Sequence, residues 1–320
     1  MNYRFSLEEW SGDKPGGNKT ICPQCGKRTF VRYVDTHTGE YLGDIVGRCE
    51  RVNNCRYHLT PREFFDGLSE VDKKRLLQDW RDFPAKTEPL PAKRAIQFLD
   101  DDCVGRYKSG QSRLELFLRR RFPDKGEQIS AVLEKYCVGC DERGRTVFWQ
   151  IDADGHLRAG KIISYKQETG HRDKAEHPPV SWVHSRLQKE GVLLSSWKPT
   201  QTLFGAHLLA GNTVKSVCIV ESEKTAIVSA LLLPDFIWVA TGGMQNLRMQ
   251  SCECLKGRNV IVYPDLGAYY EWEAKISSIS ARVGFSASVS DLLEGIASPE
   301  EKLQGLDIAD YLLAQSGTMQ

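Results

Sequence analysis

The sequence predicts a multidomain protein of mixed α+β and α/β class, and three observations carry that prediction. Residues 1–66 are rich in cysteine, with short alternating runs broken by glycine turns. From about residue 215 onward, apolar strand-like runs alternate with helix-like runs, the pattern of a parallel sheet wrapped by helices. Between them, two helical spacings are followed by three strand-like runs separated by turn residues. Four segments result: a Cys-rich module over 1–66, a polar helix and Pro-containing linker over 67–93, a basic α+β subdomain over 94–210 and a parallel-sheet domain over 211–320.

In the first segment "ICPQCGKRTF" supplies Cys22 and Cys25, and "GRCERVNNCRYH" supplies Cys49, Cys55 and His58. A Cys-Pro-x-Cys-Gly turn is a knuckle whose amides can support two thiolates on one zinc ion, and a second pair closes the tetrahedron. The second pair is more widely spaced, so either Cys55 or His58 can be the fourth ligand. Between the pairs, "TFVRYVDTHTGEYLGDIVGR" alternates as a β-hairpin does, giving a zinc β-ribbon. With four protein ligands the ion is structural. Lys27, Arg28, Arg32, Arg48 and Arg51 with Tyr33 and Tyr41 suit single-stranded nucleic acid, or form a solvated charged face. Cys103, Cys137, Cys140, Cys218, Cys252 and Cys254 are read as packing or surface thiols.

The linker reads as "GLSEVDKKRLLQDWRDFPAKTEP" closed by "LPAK". "RLELFLRRRF" (113–122) and "GEQISAVLEKY" (126–136) then have helical spacing, and "RTVFWQI", "GHLRAGKIISY" and "VSWVHS" read as strands. Arg145, Arg158 and Lys161 lie on the first two strands, and Lys166, Arg172 and Lys174, with His171, in the following loop. They are candidate phosphate contacts or charges guarding a strand edge. In the last segment "KSVCIV", a helix over 223–233, "FIWVAT", "GGMQNL", "NVIVYP", a helix from about Tyr269 to Val283 and "FSASVS" follow in turn.

Chemistry in a parallel sheet collects at the carboxyl ends of strands. Glu221 ends one strand and Asp265 another, so the two could hold a hard divalent cation. "ATGGMQNL" lies between them, a turn where backbone can approach a phosphate or the acids closely. The bland alternatives are a carboxylate complementing a helix dipole at Glu221, a turn acid after Pro264, and helix-capping acids at Asp307 and Asp310. Lys224 can meet a nucleotide phosphate or pair with an acid.

"CIVESEKTA", "WVATGGMQNL" and "VIVYPDLGAYYEW" together resemble a TOPRIM domain, the Rossmann-like metal-binding fold of bacterial-type primases, topoisomerases and some nucleases. The resemblance implies that Glu221 is general acid/base or metal ligand. It implies an Asp-x-Asp magnesium site at Asp265-Leu266-Gly267, where this chain lacks the second aspartate. Asp291, in "SVSDLLE", could replace it. "GLDIADYL" (305–312) is similar to the tail of primase TOPRIM domains, with Asp307 and Asp310. Upstream, "YCVGCDERGRTVFWQIDADGHLRAGKIISY" and "TLFGAHLL" resemble the basic primase core and its junction with TOPRIM. The order ribbon, basic core, TOPRIM is the layout of bacterial-type primases, and the ribbon "GRCERVNNCRYHLTP" looks closest to mobile-element or phage-like variants.

Composition fits this reading. The chain of 320 residues is 41% hydrophobic and 27% charged, as soluble globular proteins are. No run approaches the roughly 20 apolar residues of a membrane span. "MNYRFSLEEWSGDKPGG" has no secretory pattern, so a cytoplasmic protein without disulfides is expected. The net charge of +1 is uneven: residues 90–210 carry 20 Lys+Arg against 15 Asp+Glu, and residues 211–320 carry 8 against 13. The resemblance implies a primase-like nucleotidyltransferase that makes short RNA primers on single-stranded DNA from ribonucleotides, with structural Zn²⁺ and catalytic Mg²⁺ or Mn²⁺. Without a Gly-x-x-x-x-Gly-Lys-Ser/Thr motif, any helicase is a separate partner. The alternatives are a catalytically degenerate DNA-binding accessory of replication or transfer, and a TOPRIM nuclease.

Overall fold

A computed structural model describes residues 4–8, 18–36, 38–51, 54–69, 97–108 and 110–315. From residue 70 onward, the helix and linker expected over 67–93 lie outside the described residues. The chain divides into two compact units, Met1–Arg94 and Ala95–Gln320. Among the described residues, no helix is long and apolar enough to cross a membrane.

In the first unit, strands β1 (Phe5–Leu7), β2 (Phe30–Asp35), β3 (Gly47–Cys49) and β4 (His58–Leu59) form an antiparallel sheet in chain order. β2 and β3 are the expected hairpin, with Phe30 opposite Cys49 and Arg32 opposite Gly47. A Cβ at Gly47 would stand 2.2 Å from the Val31 carbonyl oxygen, so only glycine fits there. Helix α1 (Pro61–Asp66) starts at a capping box, with Thr60 and Glu63 satisfying each other's backbone N–H and proline at the first turn.

The second unit contains two sheets. Helices α2 (Asp102–Gly105), α3 (Arg113–Arg121) and α4 (Gly126–Lys135) precede an antiparallel sheet of β5 (Gly139–Cys140), β6 (Thr146–Ile151), β7 (Leu157–Ile163) and β8 (Val180–Trp182). The segment "VSWVHS" keeps its strand only to Trp182. Helix α5 (Val183–Lys189) takes over because Val183, His184 and Leu187 then share one buried face. The parallel sheet comprises β9 (Val217–Val220), β10 (Ile237–Ala240), β11 (Asn259–Val262) and β12 (Ser286–Val289). Helix α6 (Glu223–Leu232) follows β9, α7 (Met249–Cys252) precedes β11, and α8 (Tyr269–Val283) lies between β11 and β12. Helices α9 (Leu292–Ile296), α10 (Pro299–Gln304) and α11 (Ile308–Gln315) complete the described chain.

Side chains alternate across the parallel sheet with period two. Val217, Ile219, Val239, Val260 and Val262 pack with Trp272 and Ile276 of α8. Cys218, Val220, Trp238 and Ala240 pack with α6 and α11, and the same core takes in Phe148, Ile163 and Tyr165 from the antiparallel sheet. The 210/211 boundary therefore falls inside one compact unit whose two sheets share a core. Each large side chain buried there contributes about 1.5–3 kcal/mol. The segment at Phe204 reinforces the junction, exchanging backbone hydrogen bonds of 2.8 and 3.0 Å with Ala240.

The strand order β10-β9-β11-β12 positions the site. The first crossover leaves β9 on one side and the next returns on the other, so the order reverses between β9 and β11. Helices diverge at such a switch point and open a crevice beyond the carboxyl ends of the strands. Glu221 immediately follows β9, and Asp265 lies three residues after β11.

Candidate functional site

The ribbon gathers Cys22, Cys25, Cys49 and Cys55, with their Sγ atoms all within 4.8 Å of one another. Cys22 lies 3.6 Å from Cys55 and Cys25 lies 3.9 Å from Cys49, sulfur to sulfur. The knuckle closes through the Gly26 N–H donating to the Cys22 carbonyl, with Gly26 at φ +66°. The backbone N–H of Lys27 stabilises the Cys25 thiolate and brings its pKa down to about 6. Four soft thiolates in a closed set fit a structural zinc ion. His58 stands outside this group: it is exposed, its Nε2 is 3.0 Å from the Tyr33 hydroxyl, and the two rings stack. The wide spacing of the second pair is accommodated by a turn in which Cys55 N–H donates to the Arg51 carbonyl. On the ribbon surface, Tyr41 is covered by Arg32, 3.4 Å from its ring centre, and its hydroxyl donates to Glu8. These aromatic faces have partners within the unit.

Three of the expected phosphate contacts in the antiparallel sheet are engaged elsewhere. Arg145 is buried and bonds Asp141 at 2.9 Å, with Arg186 on the same carboxylate at 2.7 Å. Arg158 bonds Asp152 at 2.6 Å and lies over Phe98. Asp152 also accepts the Asp154 and His156 amides, so the "DADG" turn is a self-capped hairpin whose acid restrains an arginine. Lys161 is 7% exposed; its ammonium donates to both oxygens of Glu223, at 2.9 and 3.1 Å, and to the Gly242 carbonyl at 3.1 Å. These residues hold the fold rather than face solvent, because a charge this buried requires a partner. Lys166 is exposed in the loop but does not line the cleft described below.

At the parallel sheet's carboxyl edge the pattern is reversed: acids meet acids. Burial raises the Asp265 pKa to about 8, and the charges of Glu221, Asp307 and Asp310 add to it against the opposing effect of Lys224. Burial also raises Glu221, but Lys161 and the backbone amide of Met244 oppose that shift. Of the two, Asp265 is the acid pushed further toward its protonated form. Asp307 reaches the edge because Leu266 N–H bonds the Leu306 carbonyl at 2.9 Å, bringing the two chain segments together. It accepts the Thr225 hydroxyl, and its pKa is raised by burial and by Asp310. Asp307 and Asp310 also cap α11 reciprocally, each N–H 3.1 Å from the other's carboxylate, so they are capping acids as well as members of the cluster. Lys224 lies 3.9 Å from Asp310.

Asp291 is exposed at the start of α9, and its charge is not among the largest effects on Asp265. Gly267 is exposed at φ +82°, its N–H bonded to Glu294 at 2.8 Å. This left-handed turn favours glycine over aspartate. Among the described residues, no three of these carboxylates bring oxygens within 4.8 Å of one another.

A cleft of about 670 Å³ opens on this edge. Asp265, Asp307, Ser222 and Lys224 line it on the parallel-sheet side, and Tyr165, His171, Arg172 and Lys174 on the side of the antiparallel sheet. Glu221 lies beside this lining and acts on Asp265 through its charge. Hard carboxylate oxygens facing cationic side chains suit a divalent cation together with an anionic phosphate ligand. Sequence reasoning missed Glu223, Thr225 and Tyr165. A lone lysine within the buried run of β7 is the signal that would have demanded a partner such as Glu223.

A putative zinc β-ribbon finger family matches residues 3–70, and a domain of unknown function, DUF6371, matches residues 112–266. No curated protein matches the chain. Among solved structures, the E. coli primase catalytic core is similar at 12% identity and TM-score 0.41, covering 67% of this chain and 82% of that one. The primase fragment of the bacteriophage T7 primase-helicase protein is similar at 12% identity and TM-score 0.33, covering 90% of this chain and 98% of that one. The Aquifex aeolicus primase, in its zinc-binding and RNA polymerase domains, is similar at 11% identity and TM-score 0.34, covering 98% and 84%.

Proposed function

We propose that the second unit is a divalent-cation-dependent nucleotidyltransferase that joins ribonucleotides into short RNA primers on single-stranded DNA, with the ribbon as a DNA-contacting module. The observation that carries this reading is the 670 Å³ cleft with Asp265 and Asp307 on one wall and Arg172 and Lys174 on the other. The parallel sheet with its switch point and the TOPRIM-like motifs around Glu221 and Asp265 support it. Glu221 and Asp265 would hold Mg²⁺ or Mn²⁺, whose chemistry there is to neutralise phosphate charge. Arg172, Lys174, His171 and Lys224 contact the phosphates of nucleotide or template. In the reaction a 3′-oxygen bonds to the α-phosphorus of the next ribonucleotide, the bond to pyrophosphate breaks, and the hydroxyl proton leaves to solvent. A separate helicase, or strands already exposed during transfer of a mobile element, would present the template.

A second reading, a catalytically degenerate DNA-binding accessory, is favoured by glycine at the position of the second aspartate. One assay separates the readings: single-stranded DNA, four ribonucleotides, one of them labelled, and Mg²⁺ or Mn²⁺. Short RNA that disappears in Glu221→Gln and Asp265→Asn supports the primase. Cleaved DNA identifies a nuclease, and DNA binding without either product identifies the accessory.

A further inference from the structure

The turn between β10 and α7 encloses Glu221. The Glu221 carbonyl accepts the Gly242 N–H at 2.8 Å, and the Met244 backbone amide opposes the effect of burial on its carboxylate. One turn of backbone thus bonds the main chain of this acid and acts on the charge of its side chain. The turn is itself gripped at both ends. Lys161, from β7, donates to the Gly242 carbonyl at 3.1 Å, and Lys275, from α8, donates to the Met244 carbonyl at 2.6 Å. Gly242 is required for this approach: at φ +70°, a Cβ would stand 2.7 Å from a Glu223 carboxylate oxygen. Glu223 holds Lys161 with two hydrogen bonds, so the first grip is rigid.

We propose that Lys275 and Lys161 form a two-sided clamp on the Gly242–Met244 turn, and that Lys275 is a positioning residue that fixes Glu221 through this turn. The clamp ties three elements to one side chain: the antiparallel sheet through Lys161, α8 through Lys275 and β9 through Glu221 itself. An acid at a strand end has several rotamers, and ordering it before a ligand arrives reduces the cost of binding. Loss of a group that orients a metal ligand typically costs about 10–100-fold in metal affinity. The metal part of this inference rests on the function proposed above; the clamp does not.

The test is amide hydrogen exchange on the full chain, wild type against Lys275→Met and Lys275→Arg, together with Mn²⁺ binding followed by electron paramagnetic resonance. Lys275→Met is expected to raise exchange about tenfold at amides 242–247, the loss of one charge-assisted hydrogen bond, with the strands of the parallel sheet unchanged. Mn²⁺ affinity falls about tenfold, the lower end for loss of an orienting group, and Lys275→Arg restores both. Unchanged exchange at 242–247 overturns the clamp, as does an increase spread evenly over the unit, which marks a merely structural lysine. Local exchange that rises while Mn²⁺ affinity holds overturns the positioning of Glu221. If the wild type binds no Mn²⁺ yet exchange responds locally, the clamp stands and the metal reading of the preceding section fails.

Discussion

The chain carries two groups of ionisable side chains drawn from distant positions, and they are arranged in opposite ways. In the ribbon, four sulfurs already lie within 4.8 Å of one another, and the knuckle amide holds Cys25 near its ligating form, with a pKa of about 6. At the parallel-sheet edge, burial pushes Asp265 up to about 8 and its acidic neighbours add to the shift. The first set is closed and assembled in advance, so its ion completes the fold. The second set is crowded and underneutralised, so its protonation and its ligand are coupled. A preassembled site points to structure, and a set of mutually repelling acids facing a basic wall points to exchange of ligands.

The largest effect expected is removal of zinc. A strong chelator should cost the ribbon on the order of 10 kcal/mol of folding free energy, as binding and folding are linked in small metal modules. Hydrogen exchange should then show β2 and β3 unprotected while β9–β11 keep their protection. Retained protection in the ribbon would break the comparison.

Next comes the pH dependence of the acid edge. An unfolded aspartate loses its proton near pH 4, so from about pH 4 to 8 the folded protein holds a proton that the unfolded chain lacks. Stability therefore falls as pH rises through that window, by up to about 1.4 kcal/mol per pH unit. Denaturant midpoints across the window should show this slope. It should be reduced in Asp265→Asn, where Glu221 and Asp307 supply what remains, and flatten when Mn²⁺ takes the place of the proton. An undiminished slope in Asp265→Asn assigns the effect to another group.

A sharper contrast is Asp307 against Asp291. Asp307→Asn should lower Mn²⁺ affinity about tenfold and bring the Asp265 pKa down toward its ordinary range, because a neighbouring charge is removed. Asp291→Ala should leave the affinity unchanged, and calorimetric titration of both variants decides it. The smallest effect is expected for His58→Ala. Zinc content by elemental analysis should stay at the wild-type value, with stability changed by no more than about 0.5 kcal/mol.

The strands and helices around these sites were largely legible. The apolar, β-branched runs "SVCIV" and "NVIVYP" specify buried strands, and the residues that end them lie at the carboxyl edge in any parallel arrangement. The cysteine knuckle was legible because its geometry is local. The acid partners of the basic strand residues were overlooked. Arg145 and Arg158 looked available, yet each has an acid four or six residues earlier, in its own turn. Lys161 could not be resolved along the chain at all, since Glu223 lies 62 positions away.

From the sequence alone came the hairpin between two cysteine pairs, the alternation that makes a parallel sheet and the two acids at its strand ends, since each depends on spacing over a few residues. Tertiary structure decided the rest. It selected Cys55 over His58, brought Asp307 beside Asp265 through the Leu266–Leu306 hydrogen bond, and set Lys161 against Glu223. Whether a charge is neutralised depends on what else is buried within a few ångströms of it, and distance in space is not written in distance along the chain.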